Sequence, residues 1–416
     1  MRSLRSNLLV LFFVFALPQA GVSSDQEVKE VTISDDNGDA SKTISEFVEE
    51  NGCIFKEYKT VTKDGYILTL WRIHRNKTSN GPPVILQHGV IDAGYTFLVL
   101  GKNRCLALYL AKKGFDVWIS NNRGQAYSTE HTKNYKWYNP FSKYWDFSFH
   151  EMGLYDFPAV ISYVKQVTGY SKVNYIGHSQ GATQYFIKGS FDPEFLNENI
   201  NSFTAFGPSV FLDSHESIAI NILTSTFPIF HWMYYLNFKF FYVLPKNMLP
   251  YTETICRKFP RMYYGLVPII GGYSKEKHFD LKRWPALCTK SPGGTSTQNL
   301  VHWLQLVKAN GRFQMFDYGK QKNLEIYNQE TPKEYDLEKL KKVRVPTLIV
   351  SGNKDALISA NSIRELMKVL KNGREDQVLE QIVLEDYTHL DFLWGKNAIK
   401  DMYPNVARFI QRINKR

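Results

Sequence analysis

The sequence predicts an α/β fold in which a mostly parallel sheet, covered by helices on both faces, is interrupted by an inserted helical cap. Three observations carry the prediction. Strand-like and helix-like stretches alternate from about residue 84 to 206 and again beyond 345, as they do where parallel strands are joined by crossover helices. Between these halves the composition shifts: Phe227 to Pro245 holds nine aromatic residues and a single charged one. Finally, Gly177-His178-Ser179-Gln180-Gly181 stands between an apolar run, Val173 to Ile176, and a helix-like stretch, Ala182 to Lys188, which makes a strand, a sharp turn and a helix.

Residues 1 to 24 read as a signal peptide, with Arg2 and Arg5 before the apolar Leu8 to Leu17 and small residues following. Ten apolar residues fall short of the ~20 that span a bilayer, so the chain is expected in the secretory pathway, in the extracellular space or the lysosomal lumen, without a transmembrane span. Residues 25 to 43 are polar and read as a flexible tail or prosegment, with order expected from Ile44. Residues 44 to 210 and 335 to 416 then form the core, and 211 to 334 the cap.

Within the core, Ile44 to Glu50 suits a short helix. Asp64-Gly65 between the β-prone runs Lys56 to Val61 and Tyr66 to Ile73 signals a hairpin. Val84 to Gln87 reads as a buried strand ending in His88-Gly89-Val90, Leu106 to Lys113 as a helix closing at Gly114, and Phe115 to Ser120 as the next strand. Leu154, Phe157, Ile161 and Val164 recur at helical spacing before the Val173 strand, and Ser202 to Phe206 is a further strand. After the insertion, in which Gln298 to Ala309 is helical, come a strand at Val345 to Ser351, a helix at Ser359 to Leu370 and a last strand at Gln381 to Leu384.

Composition narrows the function. The net charge of +11 falls to +9 when Arg2 and Arg5 leave with the signal peptide. No basic run interleaved with aromatics and no zinc-finger spacing accompanies it, so nucleic acid is not an expected partner. Cys53, Cys105, Cys256 and Cys288 contain no Cys-x-x-Cys pair, which argues against a structural metal and leaves three possible pairings or free thiols. Asn76-Lys77-Thr78 is the one glycosylation sequon. Oligomeric state is not legible.

The chemistry centres on Ser179. A serine between Gly177 and Gly181 at a strand-to-helix turn is held clear of the sheet, and it needs a base, an orienting acid and oxyanion donors. Asp355 follows a strand end and His389 lies in the loop after the last strand. The order Ser, Asp, His is that of α/β-hydrolases rather than of chymotrypsin-like or subtilisin-like proteases. Asp386 and Asp391 compete for the acid's role but lack its placement. Gly89 lets the backbone approach closely, so the amide of Val90 is the expected first oxyanion donor, with His88 satisfying backbone groups and His178 packing behind the elbow. Arg123 is expected to organise its loop. The aromatics of the cap are expected mostly to fill its own core, a minority facing a large apolar substrate.

Six motifs together resemble the acid lipases of the gastric and lysosomal type: Thr62-x-Asp64-Gly65-Tyr66-Ile67-Leu68, Leu86-Gln87-His88-Gly89, Asn122-Arg123-Gly124, Gly177 to Gly181, Gly293-Gly294-Thr295-Ser296-x-Gln298-Asn299 and His389-Leu390-Asp391-Phe392. The resemblance covers nearly everything from Ile44 onward. It implies an α/β-hydrolase core with a cap, a Ser179-Asp355-His389 triad, Val90 and Gln180 as oxyanion donors, no cofactor or metal, and hydrolysis of triacylglycerols or cholesteryl esters at a lipid–water interface. This chain departs from the family in two places. Val90 stands where Leu is common, which matters little to a backbone donor, and Gly265 stands where the family's cap disulfide would place the partner of Cys256. Cys288 is the alternative partner. A carboxylesterase or peptidase on the same scaffold, and a non-catalytic lipid carrier, are the rival readings, since fold does not fix substrate. A dehalogenase or epoxide hydrolase would want an acid where Ser179 stands.

Overall fold

The computed structural model describes residues 38–75, 81–212, 224–225, 227–241, 249–258, 271–272, 279–371 and 379–415. The expected signal peptide, residues 25–37 of the expected tail, Asn76 and the aromatic stretch beyond Phe241 lie outside the described residues.

A Thr43 capping box, in which the Thr43 side chain meets the Glu46 amide and Glu46 returns to the Thr43 amide, starts helix α1 (Ile44–Glu50). Strands β1 (Ile54–Val61) and β2 (Tyr66–His74) form the expected antiparallel hairpin, closing with Val61 opposite Ile67. They are followed by β3 (Pro83–Gln87), helix α2 (Leu106–Lys112), β4 (Asp116–Ser120) and a two-residue strand β5 (Glu130–His131) that pairs with β2. Helix α3 (Phe157–Thr168) begins only after a π-helical turn, Met152–Asp156, so the helical spacing read from Leu154 crosses a break in helix type. Then come β6 (Val173–His178), α4 (Gln180–Phe191) and β7 (Ile200–Phe206). Beyond the insertion, β10 (Thr347–Gly352) and β11 (Leu379–Leu384) complete the sheet.

The main sheet runs in the order β1-β2-β4-β3-β6-β7-β10-β11. Every pairing from β4 to β11 is parallel, and β1-β2 and β2-β4 are antiparallel. Alternate side chains of the central strands feed two cores. Val84, Leu86, Val117, Ile119, Ile176 and Val350 pack on one face with α2 and the C-terminal helix (Tyr403–Asn414). Ile85, Trp118, Tyr175, Phe203 and Ile349 pack on the other with α3, α4 and the helix Ala360–Lys371. Burial on both faces is why these strands read as continuous apolar runs.

The insertion between β7 and β10 contains α5 (Phe227–Tyr235), β8 (Phe240–Phe241), α6 (Leu249–Lys258), α7 (Trp284–Lys290), β9 (Thr295–Ser296) and α8 (Thr297–Lys308). Cys256 in α6 and Cys288 in α7 are disulfide-bonded, while Cys53 and Cys105 are buried free thiols. Two expectations are corrected here. No side chain of α5 is fully buried, and Trp232, Tyr235 and Leu236 are each 66% exposed, so Trp232 and Tyr235 do not fill a core of the cap's own. The end of the polar tail is ordered before Ile44: Asp39 and Ala40 are buried, with Arg283 donating to the Asp39 carboxylate and Lys290 and Thr289 to the Ala40 carbonyl. Those partners lie some 250 residues away in sequence, where local composition cannot reveal them.

Candidate active site

The elbow is strained as its motif requires. Ser179 has φ 54° and ψ −121°, a conformation that only a well-determined surround maintains. The flanking glycines are sterically necessary. A Cβ on Gly177 would lie 2.5 Å from the Ala182 nitrogen, and one on Gly181 2.3 Å from the Gln87 carbonyl oxygen. The elbow therefore sits directly against the end of β3, and Gly89, just beyond it, could carry a Cβ only at 3.2 Å from that of Ser179.

His389 and Asp355 meet beside it. His389 Nδ1 lies 2.8 Å from Asp355 Oδ2, with both side chains almost wholly buried. A carboxylate only accepts, so Nδ1 is the donor, the tautomer in which a neutral imidazole presents its lone pair at Nε2. The other Asp355 oxygen accepts from the Leu357 and Ile358 amides, both at 2.9 Å. The competing acids are placed differently: Asp391 accepts from the Thr388 amide and hydroxyl, and Asp386, at φ 60°, donates its backbone amide to Asn353 Oδ1.

His389 Nε2 has no hydrogen-bond partner among the described residues, and Ser179 Oγ lies 3.3 Å from Ser209 Oγ. The hydroxyl is thus turned toward Ser209. Such loosened contacts are usual before substrate arrives. Sequence reading missed Ser209. Its signal is position, two residues past Gly207 at the carboxyl end of β7, where sites of open parallel sheets gather.

The remaining predicted residues fall into supporting places. His178 Nε2 donates to the His389 carbonyl at 2.9 Å, and its ring lies 5.0 Å from that of His389. Burial pushes the His178 pKa down to about 3, aided by the neighbouring His389. His88 donates from Nδ1 to the Gly89 carbonyl and accepts at Nε2 from the Asn122 amide, and burial lowers its pKa to about 4. Neither histidine is a base for Ser179. Arg123 is fully buried and structural, reaching Asp64 at 2.5 Å and Asp156 at 2.6 Å and lying 4.0 Å from the Tyr66 ring. Val90 follows the close approach at Gly89, and Gln180 opens α4, where the first amides have no intrahelical acceptor.

A model described as alpha/beta hydrolase fold matches residues 82–253, and one described as partial alpha/beta-hydrolase lipase region matches 44–101. Gastric triacylglycerol lipase of Rattus norvegicus is 34% identical over 378 residues, 88% of this chain and 91% of the relative. The chain belongs to the gastric-type lipases of the α/β-hydrolase superfamily. This lipase is also 32% identical to lipase member K of Homo sapiens (89% and 91% covered) and 31% identical to lipase 1 of Drosophila melanogaster (90% and 81%). Among solved structures, a putative lipase from Sulfolobus solfataricus superposes with TM-score 0.51 at 15% identity, covering 86% of this chain and 99% of that one, a likeness of fold alone. Membership makes the protein a carboxylic ester hydrolase. None of the described helices is long and apolar enough to cross a membrane.

Proposed function

We propose that this lipase hydrolyses neutral lipid esters, triacylglycerol or cholesteryl ester, through a Ser179-His389-Asp355 triad and an acyl-enzyme. The reading rests on one observation above others, the buried 2.8 Å pair of His389 and Asp355 beside a serine held at positive φ. On substrate attack Ser179 Oγ forms the bond to the acyl carbon while His389 Nε2 takes its proton. The Val90 and Gln180 amides receive the negative oxygen. Collapse breaks the ester bond, and Nε2 returns the proton to the departing alcohol. Water then repeats the sequence on the acyl-enzyme and frees the acid. Asp355 holds the imidazole in its tautomer throughout and stabilises the imidazolium.

The substrate class draws support from the relatives named for triacylglycerol and from the surface of the insertion. Trp232, Tyr235 and Leu236 are exposed, as are Tyr138 (64%) and Phe141 (55%), and the two segments meet where Phe141 lies against Phe238 and the Lys239 amide bonds to the Pro140 carbonyl. An apolar exposure of this kind marks a surface that meets something apolar, here a lipid–water interface. Residues 211–334 act as the cap over a core of 44–210 and 335–416, and the protein works in the extracellular space or the lysosomal lumen. Wild-type protein and Ser179→Ala are offered emulsified triacylglycerol, cholesteryl ester, a soluble short-chain ester and a peptide. The expected result is lipid turnover that Ser179→Ala abolishes. Turnover of soluble esters alone would leave a carboxylesterase, and lipid binding without Ser179-dependent turnover a carrier.

A further inference from the structure

One limb of the insertion, residues 291–303, contacts both the loop after β3 and the helix that follows the elbow. At one end, the Gly293 amide donates to the Ile91 carbonyl at 2.7 Å and Ser291 Oγ to Asp92 Oδ1 at 2.6 Å. Ile91 directly follows Val90 and sits at φ 59°, costly for a β-branched residue and sustained only where neighbours over-determine it. The approach is close enough that a Cβ on Gly293 would stand 2.4 Å from the Asp92 carbonyl oxygen. At the other end, Asn299 Nδ2 (2.9 Å) and Trp303 Nε1 (2.7 Å) converge on a single acceptor, Gln180 Oε1. Gln180 and Asn299 are almost wholly buried, and the other half of the Gln180 amide reaches Met152 Sδ in the π-helical turn. A glutamine in the first turn of a helix has no need of such anchoring for the helix itself. Its backbone amide, however, is one of the two proposed oxyanion donors.

We propose that this limb positions the oxyanion-binding amides, with Asn299 and Trp303 as positioning residues that act through the Gln180 side chain. The inference rests on the oxyanion assignment made above. Oxyanion donors act by being fixed before charge develops, and a donor loosened by a fraction of an ångström binds the transition state less well while the ground-state ester hardly notices. The insertion is then part of the chemical step as well as of lipid binding.

The test uses a soluble short-chain ester, so that adsorption to lipid does not enter. Trp303→Phe removes the N–H donor with the smaller part of the indole and keeps a ring against Phe149, 4.5 Å away. It is expected to lower kcat by about 10- to 100-fold, below the 10²- to 10³-fold of a lost donor, with KM within about twofold. Asn299→Asp should do the same. Binding of an alkyl boronic acid, whose serine adduct is tetrahedral, should weaken by a similar factor. Gln180→Met keeps the backbone amide and deletes the acceptor, so adding Trp303→Phe to it should cost nothing further. Should Asn299→Asp fail to fold, Trp303→Phe and the Gln180→Met pair decide alone. Unchanged kcat in Trp303→Phe, a loss carried by KM, or losses that multiply in the double variant overturn this inference and leave the triad standing. Turnover that survives Ser179→Ala overturns the triad reading and this one with it.

Discussion

Ser179 shows what a single residue's backbone can store. Its positive φ is tolerated because Gly177 and Gly181 let the turn close against β3, and the strain keeps the hydroxyl clear of the sheet. Titratable neighbours set the pH response. Burial holds the pKa values of His88, His178 and His302 down to about 4, 3 and 3, below the ~6.5 of an exposed histidine. Each is lowered on folding, so the stability it contributes is present above pH ~6.5 and is lost as pH falls toward the folded value. Asp92 acts in the opposite sense: burial raises it to about 6, so its contribution is present below ~4 and lost as pH rises through about 6. We expect the urea midpoint of the wild type to fall between pH 7 and 4, and Asp92→Asn to make that fall steeper. A shallower fall in the variant would contradict the assignment.

Among elements, the insertion is the one whose behaviour least resembles its sequence. Helix α5 looks like core material and carries no fully buried side chain, because its apolar residues occur all round the helix and a single protein face cannot bury every side of it. Further along, the Cys256–Cys288 bond ties α6 to α7 across 32 residues. In the chain-entropy account a loop of that length contributes about 3–4 kcal/mol by restricting the unfolded chain. The Cys256→Ser/Cys288→Ser variant is therefore expected to unfold at a lower denaturant concentration than the oxidised wild type, and addition of reductant should bring the wild type to the variant's midpoint. Identical midpoints in oxidised wild type and variant would remove the bond from any account of stability.

At the scale of the molecule, buried charge and long-range contacts join the parts. Arg123, in the loop after β4, bridges Asp64 of the β1-β2 turn and Asp156 of the π-helical turn, so three segments far apart in sequence share one cation. Removing one partner from a buried ionic cluster strands the others and costs about 3–5 kcal/mol. Arg123→Met should lower unfolding free energy by about that amount in a denaturant titration; a change under about 1 kcal/mol would show the cluster to be dispensable. The insertion is joined to the site in the same way: the Gly271 carbonyl accepts from the His389 amide at 2.9 Å and the Ala356 amide at 3.4 Å, linking the loops that carry the base and the acid.

The sequence alone determined the hydrolase core and singled out Ser179, Asp355 and His389 as candidates, because strands buried on both faces leave unbroken apolar runs and these residues follow at strand ends. Period and punctuation are local signals, and the hairpin at Asp64-Gly65 and the Ser179 elbow were legible for that reason. Tertiary structure alone decided what surrounds them. Ser209 beside the nucleophile, Asp39 and Ala40 under the insertion, and Asn299 and Trp303 on Gln180 all depend on contacts between segments 30 to 251 residues apart. A polar side chain's partner across such a separation leaves no periodicity in the chain. Only packing the sheet and laying the insertion across its carboxyl edge brings those groups within hydrogen-bonding distance.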